Sequence, residues 1–315
     1  MLRPIAAALC LMTAAPCALA AESSITAPGP KGALSGTLAL PAGDVRAVAV
    51  ILPGSGPTDR DGNNTLGIRA QPYRLLAEAL ARRGIATVRV DKRGLFGSTA
   101  ADDAEDLTLA DYATDARAWV AAATAATGRP CAWLIGHSEG GLIALQAAQG
   151  QLVCGLVLVS TPGQPLGDTI RAQLGRQAAG SDLLPKALEI LGELESGRLV
   201  PAGRIPAPLM GAFGPSAQKL LMSELRFDPS SELSRVRKPV LIVAGGRDLQ
   251  VREREAEMLR AGDPDARVVV LPTMNHVMKS VPADDDANFA SYGDPNLPLA
   301  TGLAPAVADF ILSPN

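Results

Sequence analysis

The chain has 315 residues with 29 basic and 32 acidic side chains, and this near balance leaves no strong field for binding nucleic acid or an anionic membrane. Hydrophobic residues make up 47% of the sequence and charged residues 19%, so the chain can bury a substantial core and is not predominantly disordered. Two histidines and four scattered cysteines are too few for a closed zinc site, and we expect no metal or organic cofactor.

Residues 1–20 have the pattern of a cleavable signal peptide. Arg3 gives a positive start, residues 5–19 are apolar, and Ala18-Leu-Ala20 is a small-x-small cleavage site. We predict a periplasmic or secreted protein with a mature domain over residues 21–315 and a charge of 28 minus 32, about −4. The alternative is an uncleaved anchor, but about 15 apolar residues interrupted by Pro16 are short for a span of about 20, so no stable membrane insertion is expected after processing.

The mature chain alternates between strand and helix patterns. The segment 34–41, which begins at Leu34, alternates large apolar with small or polar residues and predicts an antiparallel edge strand. Continuous apolar runs predict strands buried on both faces at 47–52, 85–90, 132–135, 156–160, 240–244 and 267–271. Helical patterns fall at 72–83, 108–126, 139–149, 252–261 and 304–312. This order predicts an α/β fold with a mostly parallel sheet and an antiparallel N-terminal edge.

Residues 161–238 interrupt the alternation with short amphipathic pieces divided by Pro and Gly. A simple crossover between parallel strands needs only about a dozen residues. The excess predicts a helical lid insertion over the carboxyl edge of the sheet, where ligands bind in open α/β folds. The alternative is ordinary helical packing without a covering function.

Processing at residue 20 would leave only Cys131 and Cys154, each at the start of an apolar run, in an oxidising compartment. If the two runs form adjacent parallel strands, both sulfurs begin at the same sheet edge, and a disulfide needs Cα atoms within about 7 Å. We expect a disulfide between them, and two buried free thiols are the alternative.

The sequence Gly136-His-Ser138-Glu-Gly140 is a G-x-S-x-G motif between a predicted strand and a predicted helix. That placement is typical of a nucleophile at a sharp turn, where glycines leave room for a strained serine. Ser138 is therefore the candidate nucleophile.

A serine nucleophile needs a base and an orienting carboxylate. His276 follows the last predicted strand and Asp248 follows the strand before it, so both are expected at the same edge as Ser138. The chain order serine, acid, histidine is that of hydrolases built on an α/β sheet. His137 is expected to be a packing residue, since its side chain leaves the backbone in another direction than Ser138. Other carboxylates fit less well: Asp263 and Asp265 precede the last strand, and Asp228 lies in the predicted lid.

Acyl transfer also needs N–H groups directed at the developing oxyanion. The N–H of Glu139, directly after the nucleophile, is one candidate. The other is the N–H of Ser55, with Gly56 next, in the loop after the first parallel strand. Asp59, Asp61 and Asn63 in that loop could suggest calcium, but the glycine is misplaced and the twelfth position is alanine. A network of Asp and Arg that braces the loop is the preferred interpretation.

The motifs together resemble the α/β-hydrolase superfamily, and specifically secreted bacterial carboxylesterases of the EstD type. They lie at residues 53–63, 90–98, 136–141, 246–248 and 274–279, and the resemblance covers nearly the whole mature chain. Gly54-Ser-Gly-Pro-x-Asp-Arg-Asp-Gly62 is the most specific part, although Pro53 stands where many relatives of the superfamily have His. The resemblance implies Ser138 as nucleophile, Asp248 as acid, His276 as base, and a lid that shapes a pocket for short acyl esters.

We therefore expect a serine hydrolase that cleaves small-molecule carboxylic esters through an acyl-enzyme. A serine aminopeptidase with the same triad is one alternative, in which Glu139 or Glu224 would bind the free amine. A non-catalytic ligand-binding protein on a hydrolase scaffold is the other. The sequence predicts neither the acyl preference nor the oligomeric state.

Overall fold

The computed structural model describes residues 21–101, 106–177 and 180–313, and the predicted signal peptide lies outside these ranges. The strands are β1 Ala21–Pro28, β2 Ala33–Leu40, β3 Ala47–Leu52, β4 Ile85–Val90, β5 Ala132–His137, β6 Val153–Val159, β7 Val240–Gly245 and β8 Arg267–Leu271. The helices are α1 Pro72–Ala81, α2 Leu109–Thr127, α3 Glu139–Ala147, α4 Leu166–Gln177, α5 Leu183–Glu195, α6 Met210–Phe213, α7 Pro215–Leu225, α8 Pro229–Leu233, α9 Arg254–Gly262, α10 Asp285–Ala290 and α11 Leu303–Leu312.

In this part of the chain the strands form one sheet of eight in the order β1-β2-β4-β3-β5-β6-β7-β8. The strands β1 and β2 pair antiparallel with each other, and β2 pairs antiparallel with β4. Every later pairing is parallel, so β3 to β8 all present their carboxyl ends at one edge. The α/β class and the antiparallel N-terminal edge predicted from the sequence are confirmed, and β1 adds a second antiparallel strand to that edge.

Hydrophobic side chains fill both faces of the sheet. In β3, Val48 and Val50 point to the face covered by α2 and α3, while Ala49 and Ile51 point to the face covered by α1 and α11. All six residues of β3 are buried, which explains why its sequence is continuously apolar instead of alternating. The rigid double-sided core holds the carboxyl ends of the strands in place.

The segment between β6 and β7 contains α4 to α8. Its helices have a small core of their own, formed by Ala187, Ile190, Leu191, Leu194, Val200, Ile205, Phe213 and Leu221. One end of this insertion contacts the loop after β7, where the Nε2 amide of Gln173 donates to the carbonyl oxygen of Gln250 at 3.2 Å. The inserted helices therefore lie next to the carboxyl end of the sheet.

A disulfide joins Cys131, directly before β5, to Cys154 in β6, with their Cα atoms 5.3 Å apart. The pairing follows from the register, since Ala132 lies opposite Val153 in the parallel ladder. The bond thus connects the starts of two adjacent parallel strands, across the crossover that carries Ser138.

Candidate active site

Ser138 lies at the sharp turn between β5 and α3. Its backbone has φ 54° and ψ −121°, a strained combination for a residue with a side chain. The turn depends on close approach of α3 to the sheet: a methyl group on Gly140 would lie 2.2 Å from the carbonyl oxygen of Leu52, and one on Gly136 would lie 2.3 Å from that of Gly140. The half-buried side chain of Ser138 is consequently presented at the carboxyl end of β5.

His276 and Asp248 form a buried hydrogen-bonded pair at the same edge. The loop after β8 carries His276 and the loop after β7 carries Asp248, with Nδ1 of the imidazole 2.8 Å from Oδ2 of the carboxylate. The other oxygen, Oδ1, accepts hydrogen bonds from the backbone N–H groups of Gln250 and Val251, each at 2.8 Å. Burial alone would raise the pKa of Asp248, but the charge and hydrogen bond of His276 and the two N–H groups outweigh it, so this pKa lies below its usual value. An ionised Asp248 therefore accepts the Nδ1 proton and leaves Nε2 of His276 as the basic nitrogen.

The turn of Ser138 is linked to the loop of His276 through His137. Nε2 of His137 lies 2.8 Å from the backbone carbonyl oxygen of His276, and the two imidazole rings are 4.8 Å apart. Within the described ranges the Ser138 hydroxyl makes no hydrogen bond to another residue. Catalytic hydrogen bonds that are open in a free enzyme often close only with substrate, so this geometry is compatible with proton transfer from Ser138 to His276.

The loop after β3 passes directly beside Ser138. A methyl group on Gly54 would lie 3.4 Å from Cβ of Ser138. The Gly54 N–H is engaged, because it donates to the hydroxyl of Tyr73 at 2.9 Å. In contrast, no described residue accepts a hydrogen bond from the N–H of Ser55, and the N–H of Glu139, at the start of α3, has no acceptor within the helix. The two N–H groups chosen from the sequence are thus free to bind an oxygen.

The rest of this loop is held by Asp and Arg side chains. Oδ1 of Asp59 accepts from the backbone N–H groups of Asp61 and Asn63 at 2.9 and 2.8 Å. Arg60 donates from its backbone and from Nε to the carboxylate of Asp91, at 2.9 and 3.0 Å. These bonds form the Asp and Arg network predicted from the sequence, and they fix the path of the chain that carries Ser55.

Residues 49–291 match the model of the alpha/beta hydrolase family. The chain belongs to the alpha/beta hydrolase family. The matched region contains the Ser138 turn and the loops of Asp248 and His276, whereas β1 and β2 precede it.

Relatives of this α/β hydrolase include esterases. The chain is 28% identical over 266 residues to Esterase EstD of Thermotoga maritima, a match that covers 82% of this chain and 60% of the relative, so the chain spans about three fifths of that protein's length. Among solved structures, the Pyrococcus furiosus esterase Pf2001 matches with a TM-score of 0.56 and 16% identity over 92% of both chains. Est1E from Butyrivibrio proteoclasticus matches with a TM-score of 0.55 and 19% identity, over 85% of this chain and 96% of its own. These two structures support the fold.

A buried cluster of charged side chains lies next to Ser138, the candidate nucleophile of this α/β hydrolase. Nζ of Lys92, in the loop after β4, is 2.6 Å from Oε1 of Glu139 and 3.4 Å from the carbonyl oxygen of Gly56. Glu224, on α7 of the insertion, lies against Glu139. Burial, the charge of Glu139 and a hydrogen bond to it raise the pKa of Glu224 well above its usual value, against the opposing effect of Lys92. The raised pKa favours the neutral form of Glu224, which can donate to the Glu139 carboxylate and so connect the insertion to α3, the helix that follows Ser138.

Sequence reasoning missed several partners of the candidate residues. From the sequence, Tyr73 was predicted only as part of a helix, Lys92 only as part of a motif, and His137 only as a packing residue. Each makes a contact between residues far apart in the chain, and no local pattern encodes such contacts.

In the ranges that the structure describes, no helix has the length and apolar composition needed to cross a bilayer. The same ranges contain no group of three or more His, Cys, Asp or Glu side chains that could hold a metal ion.

Proposed function

We propose that this chain is a serine carboxylesterase that hydrolyses short acyl esters through an acyl-enzyme. The observation that carries the proposal is the 2.8 Å pair of His276 and Asp248 at the edge where the strained turn presents Ser138. The esterases among its relatives favour the same reaction class.

In acylation, Oγ of Ser138 attacks the ester carbonyl carbon while Nε2 of His276 takes the hydroxyl proton. The carbonyl π electrons move to oxygen and form an oxyanion. When the tetrahedral intermediate collapses, the bond to the alcohol oxygen breaks, and His276 returns the proton to this leaving group. Asp248 keeps the imidazole in the tautomer that receives the proton and stabilises the imidazolium that forms.

Deacylation repeats these steps with water. His276 removes a proton from the water as it attacks the acyl carbon, and then protonates Oγ of Ser138 as the carboxylic acid leaves. In both halves the N–H groups of Ser55 and Glu139 bind the oxyanion. One such donor contributes about 10²- to 10³-fold to kcat in other acyl-transfer enzymes.

Ester hydrolysis is favoured over aminopeptidase activity by the state of the two acidic side chains near Ser138. An amine-binding site needs a free carboxylate, but Glu139 is paired with Lys92, and Glu224 is buried with a raised pKa that favours its neutral form. Comparing turnover of p-nitrophenyl acetate with that of an aminoacyl p-nitroanilide tests this choice, and a faster anilide reaction would reverse it.

The direct test of the esterase is Ser138→Ala, with wild-type protein as reference and circular dichroism to verify the fold. We expect the variant to fold, to lose p-nitrophenyl acetate hydrolysis and to lose labelling by a fluorophosphonate. Full activity in the variant would refute the assignment of Ser138. A folded wild type that is neither labelled nor active would favour a ligand-binding protein on the hydrolase scaffold.

We also propose that the protein is exported, and separately that residues 161–238 act as a lid over the ester site. Export is supported by the sequence of residues 1–20 and by the Cys131–Cys154 disulfide, which is typical of an oxidising compartment. The contact of the insertion with the loop of Asp248 supports the lid. N-terminal sequencing of protein recovered from the periplasm or medium is expected to begin at residue 21, and an intact N-terminus would contradict cleavage.

A further inference from the structure

One buried chain of hydrogen bonds crosses the candidate active site and has no part in the chemistry described above. It runs from the N–H of Gly54 to the hydroxyl of Tyr73 at 2.9 Å, from that hydroxyl to Nδ1 of His137 at 2.8 Å, and from Nε2 of His137 to the carbonyl oxygen of His276 at 2.8 Å. Tyr73 is 2% exposed and His137 5%, so no link competes with bulk water. The chain therefore joins the oxyanion loop to the loop of His276, and it passes through the residue before Ser138.

The direction of every bond in this chain is determined by its ends. A carbonyl oxygen only accepts, so Nε2 of His137 must carry the proton it donates to His276. Burial, with the charge of His276, lowers the pKa of His137 to about 3, so the ring is neutral and Nδ1 has no proton. The Tyr73 hydroxyl must then donate to Nδ1, and its oxygen accepts from the N–H of Gly54. Burial, aided by nearby carboxylates, raises the pKa of Tyr73, so the phenol keeps this proton throughout the working pH range.

These hydrogen bonds also determine which backbone N–H groups near Ser138 remain available to bind an oxyanion. Because the Gly54 N–H donates to Tyr73, it is already engaged, and the next amide in the chain, that of Ser55, is left for an oxyanion. Gly54 also packs directly on His137, since a methyl group at Gly54 would lie 3.2 Å from Nδ1 of that ring. Tyr73 and His137 thus define where the oxyanion loop lies relative to the nucleophile turn.

We propose that Tyr73 and His137 are positioning residues, which hold the Ser55 N–H and the His276 imidazole at a fixed separation around Ser138. The proposal rests on the proposed esterase function, since it gives the oxyanion donor and the base their geometry. Neither side chain touches the substrate in this account. Acyl transfer tolerates little displacement of these groups, because a misplacement of about 1 Å can lower the rate by about 10²-fold.

The experiment compares Tyr73→Phe, His137→Gln and His137→Leu with wild type in steady-state hydrolysis of p-nitrophenyl acetate. Tyr73→Phe removes the hydroxyl that links Gly54 to His137, and we expect kcat to fall about 10- to 100-fold with KM within about threefold. His137→Gln keeps an N–H that can reach the carbonyl oxygen of His276, so it is expected to lose less than His137→Leu. If the leucine variant does not fold, the Phe and Gln variants still decide the question.

Two readouts separate positioning from a general structural effect. Rates are expressed per active site, titrated by fluorophosphonate, so that misfolded protein does not count as lost kcat. The inhibition constant of a trifluoromethyl ketone, which forms an oxyanion on the nucleophile, is expected to rise by the same factor as kcat/KM falls, because both report transition-state binding. Tyr292→Phe is the matched control, since it deletes a half-buried phenol hydroxyl that accepts from Nε2 of Gln250 at 3.1 Å and does not belong to the Gly54–Tyr73–His137 chain of hydrogen bonds.

The proposal is overturned if Tyr73→Phe keeps kcat per titrated site within twofold of wild type. It is also overturned if Tyr292→Phe loses as much kcat as Tyr73→Phe, or if the inhibition constant of the ketone for Tyr73→Phe equals that for wild type. Failure of the esterase function itself would appear in the wild-type protein, as absence of turnover and labelling. Failure of the positioning proposal would appear only in the variants.

Discussion

Replacing Asp248 with asparagine is expected to abolish most activity by reversing the tautomer of His276. The carboxylate sits between donors of fixed direction: its Oδ1 accepts from the N–H groups of Gln250 and Val251, and its Oδ2 accepts from Nδ1 of His276. In Asp248→Asn the amide oxygen must occupy the Oδ1 position to keep the two backbone bonds. The amide NH₂ then faces Nδ1 of His276 and donates to it, which moves the ring proton to Nε2.

A histidine protonated on Nε2 cannot accept the proton of Ser138. The same reversal of tautomer in a serine protease triad lowers kcat by about 10⁴-fold, which corresponds to about 5.4 kcal/mol of transition-state stabilisation, and we expect a loss of this size here. Hydrolysis of p-nitrophenyl acetate and the rate of fluorophosphonate labelling should fall together, because both need the activated serine. The variant should fold, since it keeps the shape of the side chain and both backbone hydrogen bonds.

Asp265→Asn is the matched control, because Asp265 lies in an exposed turn before β8 at the opposite edge of the sheet. It is expected to remain within about twofold of wild type, since surface substitutions remote from the site have small effects. The assignment of Asp248 as the orienting acid would be wrong if Asp248→Asn kept more than a tenth of wild-type kcat. It would also be wrong if Asp265→Asn lost as much kcat as Asp248→Asn.

Two predictions concern stability. The double variant Cys131→Ser, Cys154→Ser should lower the free energy of unfolding by about 3 kcal/mol, because the disulfide joins residues with a sequence separation of 23 and so closes a loop in the unfolded chain; an unchanged urea midpoint would contradict this. Glu224→Gln should remove one source of pH dependence. The folded chain keeps on Glu224 a proton that the unfolded chain releases at the ordinary carboxyl pKa, so wild-type stability falls as pH rises from that value towards the raised pKa. Over that pH range the melting temperature of Glu224→Gln should fall less than that of wild type. Equal pH dependence of the two melting temperatures would refute a protonated Glu224 beside Glu139.

The central strands could be predicted from the sequence because burial on both faces makes them continuously apolar. The predicted bounds of β3, β4 and β8 agree with the structure. The strand β1 was missed, since it pairs only with β2 at the edge and most of its side chains are exposed, which leaves Ala21-Glu-Ser-Ser without an apolar pattern. The start of β6 was set three residues late because Gly155 interrupts the apolar run, although Val153 and Cys154 already belong to the strand.

The candidate site could be located because each of its residues follows a parallel strand, and all such ends meet at one edge. What local pattern could not supply is the set of contacts that join distant segments. Tyr73 reaches His137 across 64 positions, and Glu224 meets Glu139 only because the insertion folds back on α3. Such contacts depend on how helices pack on the sheet, and the sequence contains no periodic signal for them.

Mass spectrometry of the fluorophosphonate-treated mature protein would identify the nucleophile. We expect one adduct per chain, located on Ser138 in the peptide that follows β5, and loss of that adduct in Asp248→Asn under the same exposure. A stoichiometric adduct on any other residue, or the absence of an adduct from a folded protein that hydrolyses p-nitrophenyl acetate, would contradict the assignment of Ser138 as the nucleophile.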